Sequence, residues 1–572
     1  MSRGRGVDTD PMPDYPDSDD EDPSTDDDTD DDDDEASRPR FYDGPRESES
    51  EDEFEVFQWS KGDTYLPYIP EFEDPTAGIQ PEFPCSENSD PVDFFMAFFD
   101  EELMQLVCDE TNKFEQYRQR TDSALNPSLN QQDWKIITPD ELYIFFGLTL
   151  LMPHIKKHVL KDYWALEDPV ATPIFNKFMA RDRYTNILSN LHLADNDNPS
   201  ETDSIWKMRE VFDMLKRKFS KFFRPFQKVN IDESLILFRG RFTWRQYIPS
   251  KRHRWGIKFF VICDCETGYI LDLAVYTGAE EGDMSKYDPH KFSGSVVKNL
   301  IDRYYGGNHI LYTDNYYTSP NLTKYLIEHG IATCGTVRPN RKNMPAFQTR
   351  PKPEQGTVQL QKTDLMLAIR WHDKKEVNLL TTIHKGKLID SGKLNWRTNE
   401  KIFKPDTVCD YNINMRLVDK SDMMVGEIDC LRKCCKWYKK AFFHLLDLSV
   451  LNAFNLWKIK TGKYMSLRLF TKSIFMSLFK KFGVVQSIQG RRFSSDHQPD
   501  RLLARDFISR HFIDGIPPQP HRPNFKGQRR CHVCASTTRQ DRKKKTVTTW
   551  CPECETPLCL RCFRDYHTLN QW

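Results

Sequence analysis

The stretch "KVNIDESLILFRGR", Lys228 to Arg241, decides how this chain is read. It starts as a β-rich run, yet Asp232 and Glu233 stand between its apolar residues, and Arg239-Gly240-Arg241 closes it. Successive side chains on a strand point to opposite faces. The two acids therefore divide: Asp232 is assigned to a working face and Glu233, turned away from it, to a structural role.

The segments that follow have the same texture. "KFFVICDCE" and "YILDLAVYTG", joined by Glu266-Thr267-Gly268, read as a hairpin, and "HILYTDNYY" as a further strand. "SPNLTKYLIEHG" reads as a helix that starts at Ser319 and stops at Gly330, and "IATCGTVR" as the next strand. Strands followed by strand-helix-strand predict an α/β core over residues 228–337. Residues 338–405 interrupt it with the basic loop "RPNRKNMP" and strand-like pieces, and 406–428 return to it.

Helical spacing dominates on either side. Phe94, Phe95, Phe98, Phe99, Leu103, Leu106 and Val107 recur at helical intervals after Asp90-Pro91, a capping pair. Thr138-Pro139 starts a second such helix, so 89–227 and 429–484 are expected to be helical. Lys216, Arg217, Lys218, Lys221 and Arg224 cluster near the end of the first region and are read as a solvated face.

Charge is distributed unevenly. Met1 to Ser60 holds 24 acidic residues against five arginines and no lysine, while the whole 572-residue chain has a net charge of −4. An acidic tail (1–88), expected to be disordered on its composition, on a basic body is the pattern of a nucleic-acid-binding protein. The opening residues are polar and acidic, which predicts no secretory leader, and no apolar run approaches the roughly 20 residues a bilayer span needs. Six of the 15 cysteines fall within the last 42 residues at CxxC spacing. The others show no disulfide framework, so reduced thiols and a terminal metal site are expected.

Three segments carry carboxylates in a suggestive order: Asp232 on the first core strand, Asp314 in "YTDNYYTS", then Asp419 and Asp422 three apart on a helix. Phosphodiester transfer needs an activated hydroxyl and a stabilised leaving oxygen, which two Mg²⁺ ions about 3.5–4 Å apart can provide. Mg²⁺ prefers carboxylate oxygens. Asp232 is expected to bridge the ions, with Asp314 and Asp419 on either one and Asp422 as a further ligand or a supporting group.

The C-terminal end offers seven zinc ligands: Cys531, Cys534, Cys551, Cys554, Cys559, Cys562 and His567. Interleaved, cross-brace binding assigns Cys531, Cys534, Cys559 and Cys562 to one ion and Cys551, Cys554 and His567 to the other. His511 is the first choice for the eighth ligand and His532 the second. Arg529, Arg530, Lys543, Lys544 and Lys545 belong to a basic run that suits DNA phosphates or nuclear targeting.

Taken in order, "NIDESLILFRGR", "YIPSKRHRWGIKFF", "YTDNYYTS", "GTVRPNRKNMP", "VDKSDMM" and the tail ending "CFRDYHT" resemble the core motifs of piggyBac-type transposases, from about Asp90 to Trp572. One departure is the last cysteine pair, separated here by two residues where some relatives have three. The resemblance implies an RNase H-like catalytic domain (228–337 and 406–428) with an insertion domain (338–405). It also implies helical dimerisation and DNA-binding segments (89–227 and 429–484), a linker (485–528) and a zinc-binding domain (529–572). Its catalytic aspartates match Asp232, Asp314 and Asp419, with Asp422 as the further acid. The implied activity is cut-and-paste transposition in the nucleus by a homodimer on double-stranded DNA: cleavage at terminal inverted repeats, hairpin formation on the transposon ends, and joining at TTAA targets. Arg239, Arg241, Lys251, Arg252, Arg254, Arg338, Arg341 and Lys342 are candidate phosphate contacts, and Trp437 is a candidate stacking residue near the hairpin. The alternative is a domesticated DNA- or chromatin-binding derivative that no longer transposes.

Overall fold

The computed structural model describes residues 57–125, 134–166, 170–238, 240, 242–248, 255–278, 291–351, 353–395, 398–430, 436–484, 511, 513–517, 527–536, 544–552 and 554–568. Two stretches far apart in sequence build the helical part. The first supplies α1 (Pro91–Phe98), α2 (Glu101–Leu125), α3 (Pro139–Ile155), α4 (Arg181–Asn190) and α5 (Arg209–Phe222). The local signals act as expected: the Asp93 carboxylate accepts from the Asp90 N–H at 2.9 Å, and the Thr138 hydroxyl accepts from the Glu141 N–H at 3.4 Å.

The sheet follows. Its centre is β1 (Lys228–Leu237), antiparallel to β2 (Trp255–Asp264), which pairs in turn with β3 (Ile270–Val275). Helix α6 (Lys291–Ile301) leads to β4 (Ile310–Thr313), parallel to β1 on its other side. Helix α7 (Pro320–Glu328) leads to β5 (Ala332–Thr336), parallel to β4. The Ser319 hydroxyl caps α7 by accepting from the Leu322 N–H at 3.2 Å, and Gly330 takes φ +73°, a left-handed turn that suits glycine. The order β3-β2-β1-β4-β5 thus combines an antiparallel meander with two parallel crossovers.

The stretch expected to interrupt this core adds strands to its sheet. Strands β6 (Val358–Lys362), β7 (Leu367–His372) and β8 (Glu376–Thr381) form an antiparallel meander whose last member pairs with β5. The hairpin β9 (Leu388–Leu394) and β10 (Lys401–Pro405) forms a separate two-stranded sheet. Helices α8 (Asp406–Asn414) and α9 (Leu417–Ile428) follow, then α10 (Trp437–Thr461) and α11 (Leu467–Phe482), which complete the helical part. Phe99 and Phe146 meet Phe442 at ring centroids 6.1 and 5.9 Å apart, and Tyr143 stacks on Phe482 at 4.5 Å.

Two polar devices join the parts. Asn452 on the buried helix α10 treats Ile270 as a strand neighbour would: it accepts the Ile270 N–H at 2.8 Å and donates to the Ile270 carbonyl at 2.9 Å. Asp410 on α8 accepts from Lys228 (2.9 Å), Asn414 (3.0 Å) and the Tyr312 hydroxyl (2.5 Å), and meets His384 at 3.2 Å. Burial opposes its ionisation, but the bonds from His384, Tyr312 and Lys228 outweigh that and hold its carboxyl well below the usual range.

The boundary expected at residue 88 lies too late. Residues 57–88 are folded onto the body because their apolar side chains find partners: Tyr65 and Phe83 are buried, and Trp59 donates to the Asn343 carbonyl at 2.9 Å. Among the described residues, no helix is long and apolar enough to cross a membrane.

Candidate active site and metal centre

Register brings the first two acids together. Ile231 on β1 lies opposite Thr313 on the parallel strand β4, and the next residue on each chain is an aspartate, Asp232 and Asp314. Paired strands run about 4.8 Å apart, so the two sit side by side where β4 ends. Asp232 is buried, and its Oδ1 accepts the Glu233 N–H at 2.8 Å.

Asp314 opens a tight turn. Its Oδ1 accepts the Tyr316 N–H at 2.8 Å, and its carbonyl accepts from the Tyr317 and Thr318 N–H groups at 3.3 and 3.1 Å. Arg341 holds the same turn from outside, donating to the carbonyls of Thr318 (3.2 Å), Asn315 (3.1 Å) and Tyr316. Burial pushes the Asp314 carboxyl up to about 6; the neighbouring Glu233 charge adds to this, and the turn's N–H groups and Lys258 oppose it.

The helix carrying the remaining acids is fastened to β1 at two points. Asn230 donates to the Met415 carbonyl at 3.2 Å, just before α9 begins, and the Ser234 hydroxyl donates to Asp422 Oδ1 at 2.7 Å. Asn230, Asp232 and Ser234 alternate along one strand and share a face, so the two fastenings bracket Asp232. Asp419 lies on α9 between the two attachments and is exposed, whereas Asp422 is half-buried and bonded to Ser234.

Glu233 follows strand alternation only in part. It pairs across the sheet with Lys258, Oε1 to Nζ 3.1 Å, and its carboxyl also meets that of Asp232. Its charge nevertheless reaches Asp314, which lies past the end of its strand and is no longer constrained by the pleat. The supporting residues Asn230, Ser234, Lys258 and Arg341 were not singled out as such from sequence. Polar residues at 230, 232 and 234 of a buried strand were the available signal.

These carboxylates form an all-oxygen donor set suited to a hard divalent cation. A cation there would offset the burial and like-charge effects that raise Asp314. The four acids do not gather into one knot; among the described residues, the groups whose ligand atoms all lie within 4.8 Å of one another are two cysteine and histidine sets.

The first of those sets is Cys531, Cys534, Cys559 and Cys562, and the second is His511, Cys551, Cys554 and His567. His511, not His532, thus completes the second, and it comes from the stretch assigned to the linker. Its Nδ1 is 3.4 and 3.3 Å from the sulfurs of Cys551 and Cys554. His567 presents Nε2 to Cys554 at 3.6 Å, while its Nδ1 donates to the Phe563 carbonyl at 2.7 Å, the outer contact that fixes a ligating imidazole. Two sulfur and nitrogen quartets of this kind could each hold a zinc ion. Helix α12 (Leu560–Thr568) supplies Cys562 and His567.

The basic candidates divide. Arg529 and Arg530 lie on an exposed strand paired with Thr546–Val547, next to exposed Lys544 and Lys545. Arg338 and Lys342 are exposed, and Arg338 Nε lies 3.4 Å from Asn315 Oδ1 in the Asp314 turn. Arg341, a candidate phosphate contact, donates to carbonyls of that turn. Trp437 starts α10 and packs edge-on against Trp244, with centroids 5.1 Å apart. Arg239, Arg241, Lys251, Arg252, Arg254 and Lys543 lie outside the described residues.

An α/β sheet with one aspartate on a central strand and a second just past the end of the parallel strand beside it, in a chain that also carries a cysteine and histidine module, points to the transposase class. The family model described as "Transposase IS4" matches residues 90–454, and the chain belongs to this family, in its piggyBac-type branch. The human PiggyBac transposable element-derived protein 3 is 24% identical over 495 residues, covering 84% of this chain and 76% of that protein. The human PiggyBac transposable element-derived protein 5 is 23% identical over 407 residues, covering 68% and 74%. The cryo-EM structure of a piggyBac transposase synaptic complex with hairpin DNA superposes with a TM-score of 0.59 at 25% identity, covering 69% of this chain and 81% of that one.

Proposed function

We propose that this chain is an active, Mg²⁺-dependent DNA transposase of piggyBac type. The observation that carries the reading is the bracketed strand: Asp232 beside Asp314, with the helix bearing Asp419 and Asp422 fastened on either side of Asp232. The order β3-β2-β1-β4-β5 supports an RNase H-like core. Asp232, Asp314 and Asp419 would hold two Mg²⁺ ions, which when bound supply an activated hydroxyl and stabilise the leaving oxygen. The chain's own part is positional. Ser234 holds Asp422, while the Tyr316 N–H holds the Asp314 carboxylate and Arg341 holds its turn.

In this reading a homodimer acts in the nucleus. It cleaves at terminal inverted repeats, forms hairpins on the transposon ends and joins them at TTAA sites. The exposed Arg529, Arg530, Lys544 and Lys545 would neutralise DNA phosphates beside the zinc-binding module, making binding salt-dependent. A domesticated DNA-binding derivative is the second reading, favoured by relatives named as derived from transposable elements. An excision assay in cells, using the sequences that flank the gene, separates the two. The parent chain is expected to excise and Asp232→Asn to bind DNA without excising; equal excision by both would refute the assignment.

A further inference from the structure

A lysine ammonium beside a site for divalent cations is electrostatically unfavourable unless its charge is already matched. Lys258 is such a group. Its side chain is 11% exposed, and Nζ lies 3.1 Å from Glu233 Oε1, itself 13% exposed. The pairing is diagonal across β1 and β2, where Leu235 lies opposite Lys258 and Glu233 opposite Phe260. Two rings confine the ammonium: Phe260 at 4.6 Å and Tyr316 at 4.7 Å from centroid to Nζ. Tyr316 is the residue whose N–H holds the Asp314 carboxylate. Lys258 therefore touches the residue next to Asp232 on one side and the turn that holds Asp314 on the other.

We propose that Lys258 is a positioning residue that offsets part of the charge of Glu233 and braces the Asp314 turn, so that the aspartates dominate the charge offered to divalent cations. The inference rests on the metal-site reading given above. It gives the second acid of the opening motif a defined purpose: Glu233 anchors the lysine that steadies Asp314, and is not itself a ligand. Neither charge is tolerable there alone, because a buried ion without its partner is strongly disfavoured.

The test uses the full chain, with Mn²⁺ binding followed by calorimetry, cleavage of flanking-sequence DNA in Mg²⁺, and thermal melting as the check on folding. Glu233→Gln leaves the ammonium unmatched and is expected to weaken Mn²⁺ binding by about fivefold or more. Lys258→Met leaves the carboxylate unmatched and is expected to slow cleavage by about tenfold or more while Mn²⁺ still binds. The double variant Glu233→Gln/Lys258→Met removes both charges and is expected to recover Mn²⁺ binding to within about twofold of the parent. Parent-like binding in Glu233→Gln, or a double variant no better than that single one, overturns the pairing. If Lys258→Met does not fold, the Glu233→Gln arm decides by itself. A parent chain that binds no Mn²⁺ overturns the metal-site reading. Parent binding that is lost in Asp232→Asn sustains that reading whatever becomes of Lys258.

Discussion

Ser234 donates to Asp422 Oδ1 at 2.7 Å, and this bond ties the strand carrying the first acid to the helix carrying the last two. With Asn230 on the Met415 carbonyl, it leaves α9 little freedom to slide along β1. The position of Asp419 is thus set by contacts that Asp419 does not itself make through its carboxylate.

The first prediction concerns this tie. A hydrogen bond to a charged acceptor contributes about 1.5–3 kcal/mol. Ser234→Ala is expected to slow strand cleavage by about tenfold and to lower the melting temperature by only a few degrees. A full cleavage rate in this variant means that the Asn230 contact alone places the helix.

The second concerns pH. The Asp314 carboxyl lies at about 6 in the folded chain, above its usual 3.8. Its contribution to stability is therefore complete below the unfolded value and is lost as pH rises through about 6. Without added divalent cation, Asp314→Asn should be more stable than the parent at pH 7.5, by up to ~3 kcal/mol, and should lose that advantage near pH 4. Urea unfolding across this range is the measurement; an advantage that does not change with pH would contradict the burial argument.

The third concerns the eighth ligand. His511→Ala is expected to lower bound zinc from about two ions per chain to about one, with the all-cysteine quartet still loaded. His532→Ala should leave metal content unchanged. Native mass spectrometry reads both, and the reverse pattern would transfer the ligand role to His532.

The fourth concerns the join between helix and sheet. Asn452→Leu keeps the branched shape but removes both bonds to Ile270, leaving a buried N–H and carbonyl without that partner. The expected cost is about 2–4 kcal/mol, seen as a lower melting temperature, while cleavage per folded molecule should be little changed.

Sequence by itself determined the local matters: the strand around Asp232, the caps at Asp90, Thr138 and Ser319, the four acids in chain order, and the cysteine pairs. These depend on periodicity and on neighbours a few residues apart, which a linear reading contains. The tertiary structure decided what depends on distant partners. Residues 358–381 join the main sheet because β5 offers β8 an edge, and 57–88 fold because Tyr65, Trp59 and Phe83 find partners in space. Lys258 is explained only by Glu233, and Arg341 only by the Asp314 turn. His511 joins Cys551 across 40 positions. No local pattern encodes such pairings, because burial and charge matching are settled only when the chain has closed around them.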